Sequence, residues 1–177
     1  MNNFAVIERL DEFTFKKVKY YSIRLLENEN EVNEFYDFLN RMEDIPEIET
    51  DLNNLVSWIE EIGDNHGAKK DQFFRHEAKR GEASALPPPC GTMESYEIVV
   101  EENLRLYCMV ANEHVVILFN GGIKTTRFAQ DCPAVGSYFK QANYFTTKID
   151  KLFQEKLISW NEDYTDICFD PILTIEL

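Results

Sequence analysis

Residues 95–126, SYEIVVEENLRLYCMVANEHVVILFNGGIKTT, constrain the fold more than any other stretch of this chain. Apolar and polar side chains alternate here with the period of two that a half-buried strand requires. Tyr96, Ile98 and Val100 alternate with Glu97, Val99 and Glu101, and Leu104, Leu106, Cys108 and Val110 alternate with Arg105, Tyr107 and Met109. Ala111-Asn112-Glu113 marks a tight reversal, Asn being a residue that tolerates turn geometry. His114 to Phe119 is an almost unbroken apolar run, as in a strand with neighbours on both sides. Asn120-Gly121-Gly122 interrupts that run, and Ile123 to Thr126 resumes it. The pattern predicts a three-stranded antiparallel meander with Arg105 and Lys124 as its polar insertions.

The segments around the meander supply one strand and several helices. Lys17 to Leu26 alternates as a first strand, whereas the pattern of residues 1–15 does not decide between strand and helix. Val32, Phe35, Leu39 and Met42 recur at helical spacing, and Pro46 suits the first turn of a second helix. Ile48, Leu52, Leu55, Ile59 and Ile62 then form an amphipathic stripe, with Glu47, Glu49 and Asp51 favourably placed at its N-terminus and Gly63 or Gly67 at its end. Lys69 to Lys79 reads as a third helical segment, and GEASALPPPCG (81–91) as an extended, polyproline-like loop. Tyr138, Ala142, Phe145, Ile149 and Leu152 define a last helix with Gly136-Ser137 as its N-cap. Residues 158–177 read as one or two strands, at 166–169 and 172–177, with five acids and no base.

At 177 residues the chain suits one domain with a proper core. Residues 1–15 are acidic and lack the apolar stretch of a signal peptide, and no apolar run approaches the roughly 20 residues of a spanning helix. The expectation is a soluble, cytoplasmic protein with no membrane partner. Cys90, Cys108, Cys132 and Cys168 form no CxxC pair, and His66, His76 and His114 lack ligand spacing. Reduced thiols, no metal and no cofactor are expected.

The formal net charge of −14 is unfavourable for nucleic-acid binding, because phosphate rewards Lys and Arg. The charge is unevenly spread. Residues 27–64 hold 13 acids against Arg41 alone, so that of the −14 only −2 belongs to the rest of the chain. Residues 66–80 reverse sign, with Lys69, Lys70, Arg75, Lys79 and Arg80 against Asp71 and Glu77. A local basic site on an acidic protein is compatible with this distribution; solubilising charge is the simpler reading of the same residues.

NLRLYCMVANEHVVILFNGGIKTT resembles the core of the RelE/ParE toxin superfamily, in particular its HigB-like, phage-derived branch. Leu104-Arg105-Leu106-Tyr107 is similar to that branch's "YR(L/V)xY" strand, and Val116 to Phe119 with Lys124-Thr125 to its "(I/V)VLLHGFxKKT" strand. The likeness covers about residues 95–155, and the helices before it only by order and length. It implies a single RelE-like α+β domain, with a toxin-like core over about 17–156 and extensions at 1–16 and 157–177. In such a domain an antiparallel meander packs against an N-terminal helical hairpin and a C-terminal helix. It further implies a ribosome-dependent mRNA endonuclease of a type II toxin–antitoxin system, working without metal by attack of the ribose 2′-OH on the adjacent phosphate. Its partners would be the ribosome with its mRNA and a helix-turn-helix or ribbon-helix-helix antitoxin protein. By the resemblance Arg105, Lys124 and Tyr107 are the catalytic positions, while Arg80, Lys79 and Arg127 would bind RNA. Glu97 and Val99 stand where RelE carries lysines, and one Lys replaces two after the last strand. A non-catalytic relative that binds protein, as ParE-like members bind gyrase, and an unrelated α+β domain therefore remain open. So does a structural ion pair as the role of Arg105.

Overall fold

The computed structural model describes residues 4–27, 31–76, 83–101 and 103–177. A mixed sheet forms the middle layer. Its strands are β1 (Phe4–Thr14), β2 (Lys19–Leu25), β3 (Arg75–His76), β4 (Ser84–Leu86), β5 (Leu104–Asn112), β6 (Val115–Ile123) and β9 (Ile175–Glu176), in the order β3-β4-β5-β6-β2-β1-β9. Neighbours run antiparallel except β2 and β6, which pair in parallel with Tyr20 opposite Val116 and Ser22 opposite Leu118. The sheet as a whole is therefore mixed, while β4, β5 and β6 pair antiparallel. The fold class is α+β.

Strand alternation sends the two side-chain sets to opposite layers. On one face Tyr20, Leu106, Cys108, Val116 and Leu118 meet helices α1 (Glu34–Glu43) and α2 (Glu49–Glu61). The stripe Ile48, Leu52, Leu55, Ile59 and Ile62 is wholly buried there. A π-helical turn, Ile62–His66, extends α2 until Gly67 stops it at φ 80°, a conformation glycine adopts without penalty. On the other face Tyr21, Tyr107, Ile117 and Phe119 meet α5 (Gly136–Gln154), whose Ala142, Phe145, Ile149 and Leu152 are buried. The small hairpin β7 (Ile158–Trp160) and β8 (Ile167–Phe169) completes that layer.

Both terminal extensions build onto the sheet. β1 pairs with β2, β9 pairs with β1, and Asp166 accepts hydrogen bonds from Tyr21 (2.6 Å) and Arg9 (3.2 Å). They cover the edge beyond β2, leaving β3 and β4 at the opposite edge.

The expected first strand of the meander is absent. Cys90–Tyr96 forms helix α4 instead, closed by Glu97 at φ 58°, and the chain continues irregularly to β5. The backbone there is satisfied by α2 rather than by a ladder. Trp58 donates to the Ile98 carbonyl (2.8 Å), Asn54 to the Val99 carbonyl (2.8 Å), and the Glu101 N–H donates to Asp51 (2.9 Å). Alternating apolar residues thus find burial against a helix, which the period of two does not distinguish from a sheet. The vacated place beside β5 belongs to β4, inside the stretch expected to be a loop, just before a cis Leu86–Pro87 bond. The expected third helix shrinks to α3 (Lys70–Phe73). Nor do Asn120-Gly121-Gly122 interrupt β6, which runs through them.

Candidate functional site

The meander carries Arg105 near the start of β5, and the antiparallel register sets it opposite Gly122. The register slips by one residue around Phe119–Asn120, and beyond the slip Gly121 lies so close to β5 that a Cβ there would overlap the Arg105 carbonyl oxygen. Arg105 is only 6% exposed, and its guanidinium donates to the Leu104 carbonyl at 2.9 Å. Just past β6, the Lys124 N–H donates to the Asn103 carbonyl (2.8 Å), which holds this lysine beside the start of β5.

These side chains line a cleft of about 560 Å³ at the β3–β4 edge of the sheet. Arg127 and Phe128 enter it from the connection between β6 and α5, and Asp71, Phe74, Arg75 and His76 from the segment around α3 and β3. Among the described residues, Arg75 is pinned by carbonyls rather than by a carboxylate. Its guanidinium donates to the carbonyls of Pro87 and Pro88, each at 2.9 Å, so neutral acceptors fix its position and leave its charge in place. The Arg127 guanidinium lies 5.3 Å from the centre of the exposed Phe128 ring. His76 stands 3.8 Å from Asp71. Among the described residues, Arg75, Arg105, Lys124 and Arg127 line this cleft together with Asp71, on a chain whose net charge is −14.

Arg105, Lys124 and Arg127 line the same cleft. Tyr107 does not join them. It shares a face with Arg105, but α5 covers it: the ring is fully buried and packs edge-on against Phe139 at 5.5 Å. Lys79 and Arg80 lie outside the described residues. Arg75, Asp71, His76 and Phe128 enter the cleft without having been singled out, and their only sequence signal was the positive balance of residues 66–80. His114 is half-buried at the β5–β6 turn with Nδ1 2.9 Å from the Lys17 carbonyl.

One titratable group beside the cleft is strongly perturbed. Burial alone would raise the pKa of the Cys132 thiol, but hydrogen bonds from the Thr125 hydroxyl and from the backbone N–H groups of Thr125, Ala134 and Val135 bring it down to about 6. Among the described residues no group of three or more His, Cys, Asp or Glu is placed to hold a metal ion, and all four cysteines are free. No described helix is long and apolar enough to cross a membrane.

Comparison with known protein families, with characterised proteins and with solved structures finds no match to this chain.

Proposed function

We propose that this protein is a RelE-like, metal-independent endoribonuclease acting on ribosome-bound mRNA in the cytoplasm, the toxin partner of a DNA-binding antitoxin. The observation that carries the reading is the convergence of Arg75, Arg105, Lys124 and Arg127 on one cleft of an otherwise acidic chain. Lys and Arg side chains gathered on one concave surface suit a ligand with a phosphate backbone. A helical pair, the β5–β6 hairpin and a following helix (α1–α2, β5–β6, α5) occur in that order, which supports the RelE-like reading.

In the proposed reaction the 2′-oxygen attacks the adjacent phosphorus, a base takes the 2′-OH proton, and the 5′-oxygen leaves with a proton from an acid. The products are a 2′,3′-cyclic phosphate and a 5′-OH. Arg105, Lys124 and Arg127 neutralise the charge that grows on the phosphorane oxygens, a guanidinium offering paired, planar donors for them. Tyr107 is given no part, because it is buried away from the cleft. His76, which lines the same cleft with Asp71 3.8 Å away, is the side chain placed for proton transfer.

The test is expression in cells without any cognate antitoxin, with mapping of mRNA 5′ ends. Growth arrest and translation-dependent cuts bearing 5′-OH termini are expected. Untouched growth and mRNA would remove the nuclease reading.

One observation favours a second reading, that of a protein-binding module. A groove of about 680 Å³ runs along the helical pair, floored by Phe13, Leu39, Leu52 and Val56 and edged by Glu43 and Glu49. A stable complex with a partner protein, formed by a chain that leaves RNA intact, would put this reading first.

A further inference from the structure

The basic cleft does not end at its cationic wall. Asp71 and Pro89 line it, and the same two residues line a second lobe of about 610 Å³ on the outer side of α4. The two lobes are therefore neighbours that meet at Asp71 and Pro89, each falling within the roughly 300–1,000 Å³ typical of small-ligand sites. Their chemistry differs. The first lobe is cationic; the second has no Lys or Arg among the described residues of its wall and is formed by Gln72, Gly91, Thr92, Ser95 and the exposed ring of Tyr96.

Tyr96 is a fixed platform rather than a loose surface ring. Its ring meets Trp58 edge-on at 5.7 Å, with the His66 ring at 4.9 Å and Phe73 at 5.9 Å behind it. A ring immobilised on one side and open on the other pays little entropy to accept a stacking partner. Asp71, whose side chain is fully exposed where the lobes meet, repels phosphate and sends the charged part of a ligand to the cationic lobe.

We propose that the two lobes together take an extended single-stranded polynucleotide, with its backbone phosphates in the Arg105–Lys124–Arg127 lobe and a base further along the strand stacked on Tyr96. This rests on the RNA reading of the cationic lobe and adds a second, sequence-tolerant subsite built by α4. Bases of every kind present a π face, so the platform selects for single strands and for length rather than for sequence.

The experiment uses the full chain and fluorescently labelled 2′-O-methyl oligouridylates of two and seven nucleotides, which lack the attacking hydroxyl and stay intact. Fluorescence anisotropy should give markedly tighter binding of the longer probe. Tyr96→Ala should weaken that probe roughly tenfold and leave the dinucleotide unchanged, while Tyr96→Trp restores it. Because Tyr96 also packs on Trp58, a second variant guards against a folding effect. A Cβ at Gly91 meets nothing within 4 Å, so Gly91→Asp places a charge in the outer lobe without strain, and it should discriminate between the probes in the same way. If both variants leave the longer probe's affinity unchanged while Arg127→Ala weakens both probes, the outer subsite is overturned and the phosphate lobe stands. If Arg127→Ala leaves both probes unaffected, or neither probe binds, the RNA reading of the cleft falls and the subsite with it.

Discussion

Arg41 and Arg75 show how differently two ends of this molecule use a cation. On the acidic helical pair, Arg41 is saturated. It bonds Asp37 at 3.0 Å, the Gly121 carbonyl at 2.8 Å and the Asn120 side-chain oxygen, and its guanidinium sits 4.6 Å over the Tyr138 ring. The Asn120 amide in turn donates to Glu34 and Asp37 at 2.9 and 2.8 Å. This network ties α1 to β6 and to α5, and it consumes the charge it contains. Burial raises the pKa of Glu34 above the usual carboxylate range, against the lowering effect of the Asn120 hydrogen bond. At the other end Arg75 is held by prolyl carbonyls and Arg127 by an aromatic ring, and neither forms an ion pair with a described residue. Acceptors without charge leave the cation's field intact. The charge of a region therefore says less about its role than the identity of the atoms that hold each cation.

The two ends meet at Gly121, whose carbonyl binds Arg41 and whose Cα faces the Arg105 backbone. Gly121→Ala should have the largest effect on stability, about 3 kcal/mol or more, because backbone rather than a flexible side chain must move. Gly91→Ala, in open space, should leave the melting temperature unchanged or slightly raised. Equal melting curves for the two variants would show that the strands part more easily than their spacing implies.

Arg105 comes next. Arg105→Ala should lower cleavage per folded molecule about 100-fold, or roughly 3 kcal/mol of transition-state stabilisation, and Arg105→Lys should recover little of it. The side chain is nearly buried, so Arg105→Ala should also lower the melting temperature, unlike an exposed strand arginine. Recovery of both stability and cleavage by Lys would assign Arg105 to the structural class of Arg41.

Arg41→Ala strands Asp37, Glu34 and Asn120. Its ion pair with Asp37 is about a third exposed (33% and 35%), so solvent screens part of the loss, and the expected cost is roughly 2 kcal/mol in urea unfolding with no change in RNA affinity. Arg127→Ala should do the reverse: stability within about 0.5 kcal/mol, and a salt dependence of RNA binding shallower by about one unit of slope. Exchange of these two signatures would abolish the distinction between the regions.

The smallest effect is a pH dependence at Cys132. The folded thiol, at about 6, lies below the ordinary value near 8.5, so the fold binds the thiolate better than the unfolded chain does. That contribution is complete above the unfolded value and fades as pH falls toward 6. Cys132→Ser should flatten the rise in melting temperature between pH 6 and 9. An unchanged slope would place the titration elsewhere.

Much of the architecture was legible because it depends on periodicity along a single segment. The stripes of α2 and α5, the two long strands of the hairpin and the turn at Asn112 all follow from spacing and local turn chemistry. Asn112 Oδ1 accepts from both the His114 and Val115 N–H groups. The sequence likewise determined that Arg105 and Tyr107 share a face and that cations cluster over residues 66–80. It could not decide what covers each face. Ile98 and Val100 satisfy a strand pattern, yet they lie against α2, because the side chains of Asp51, Asn54 and Trp58 bond the backbone that a neighbouring strand would otherwise have paired. Arg105 lines the cleft whereas the Tyr107 ring packs against Phe139 of α5, a contact between residues 32 positions apart. Arg75 reaches the cleft only because β3 pairs with β4 and the Pro87 and Pro88 carbonyls turn toward it. Periodicity records which side of an element is apolar. Which distant segment packs there, and so which cations keep their charge, is settled by competition among surfaces for burial and among acceptors for each guanidinium, and only the assembled tertiary structure resolves it.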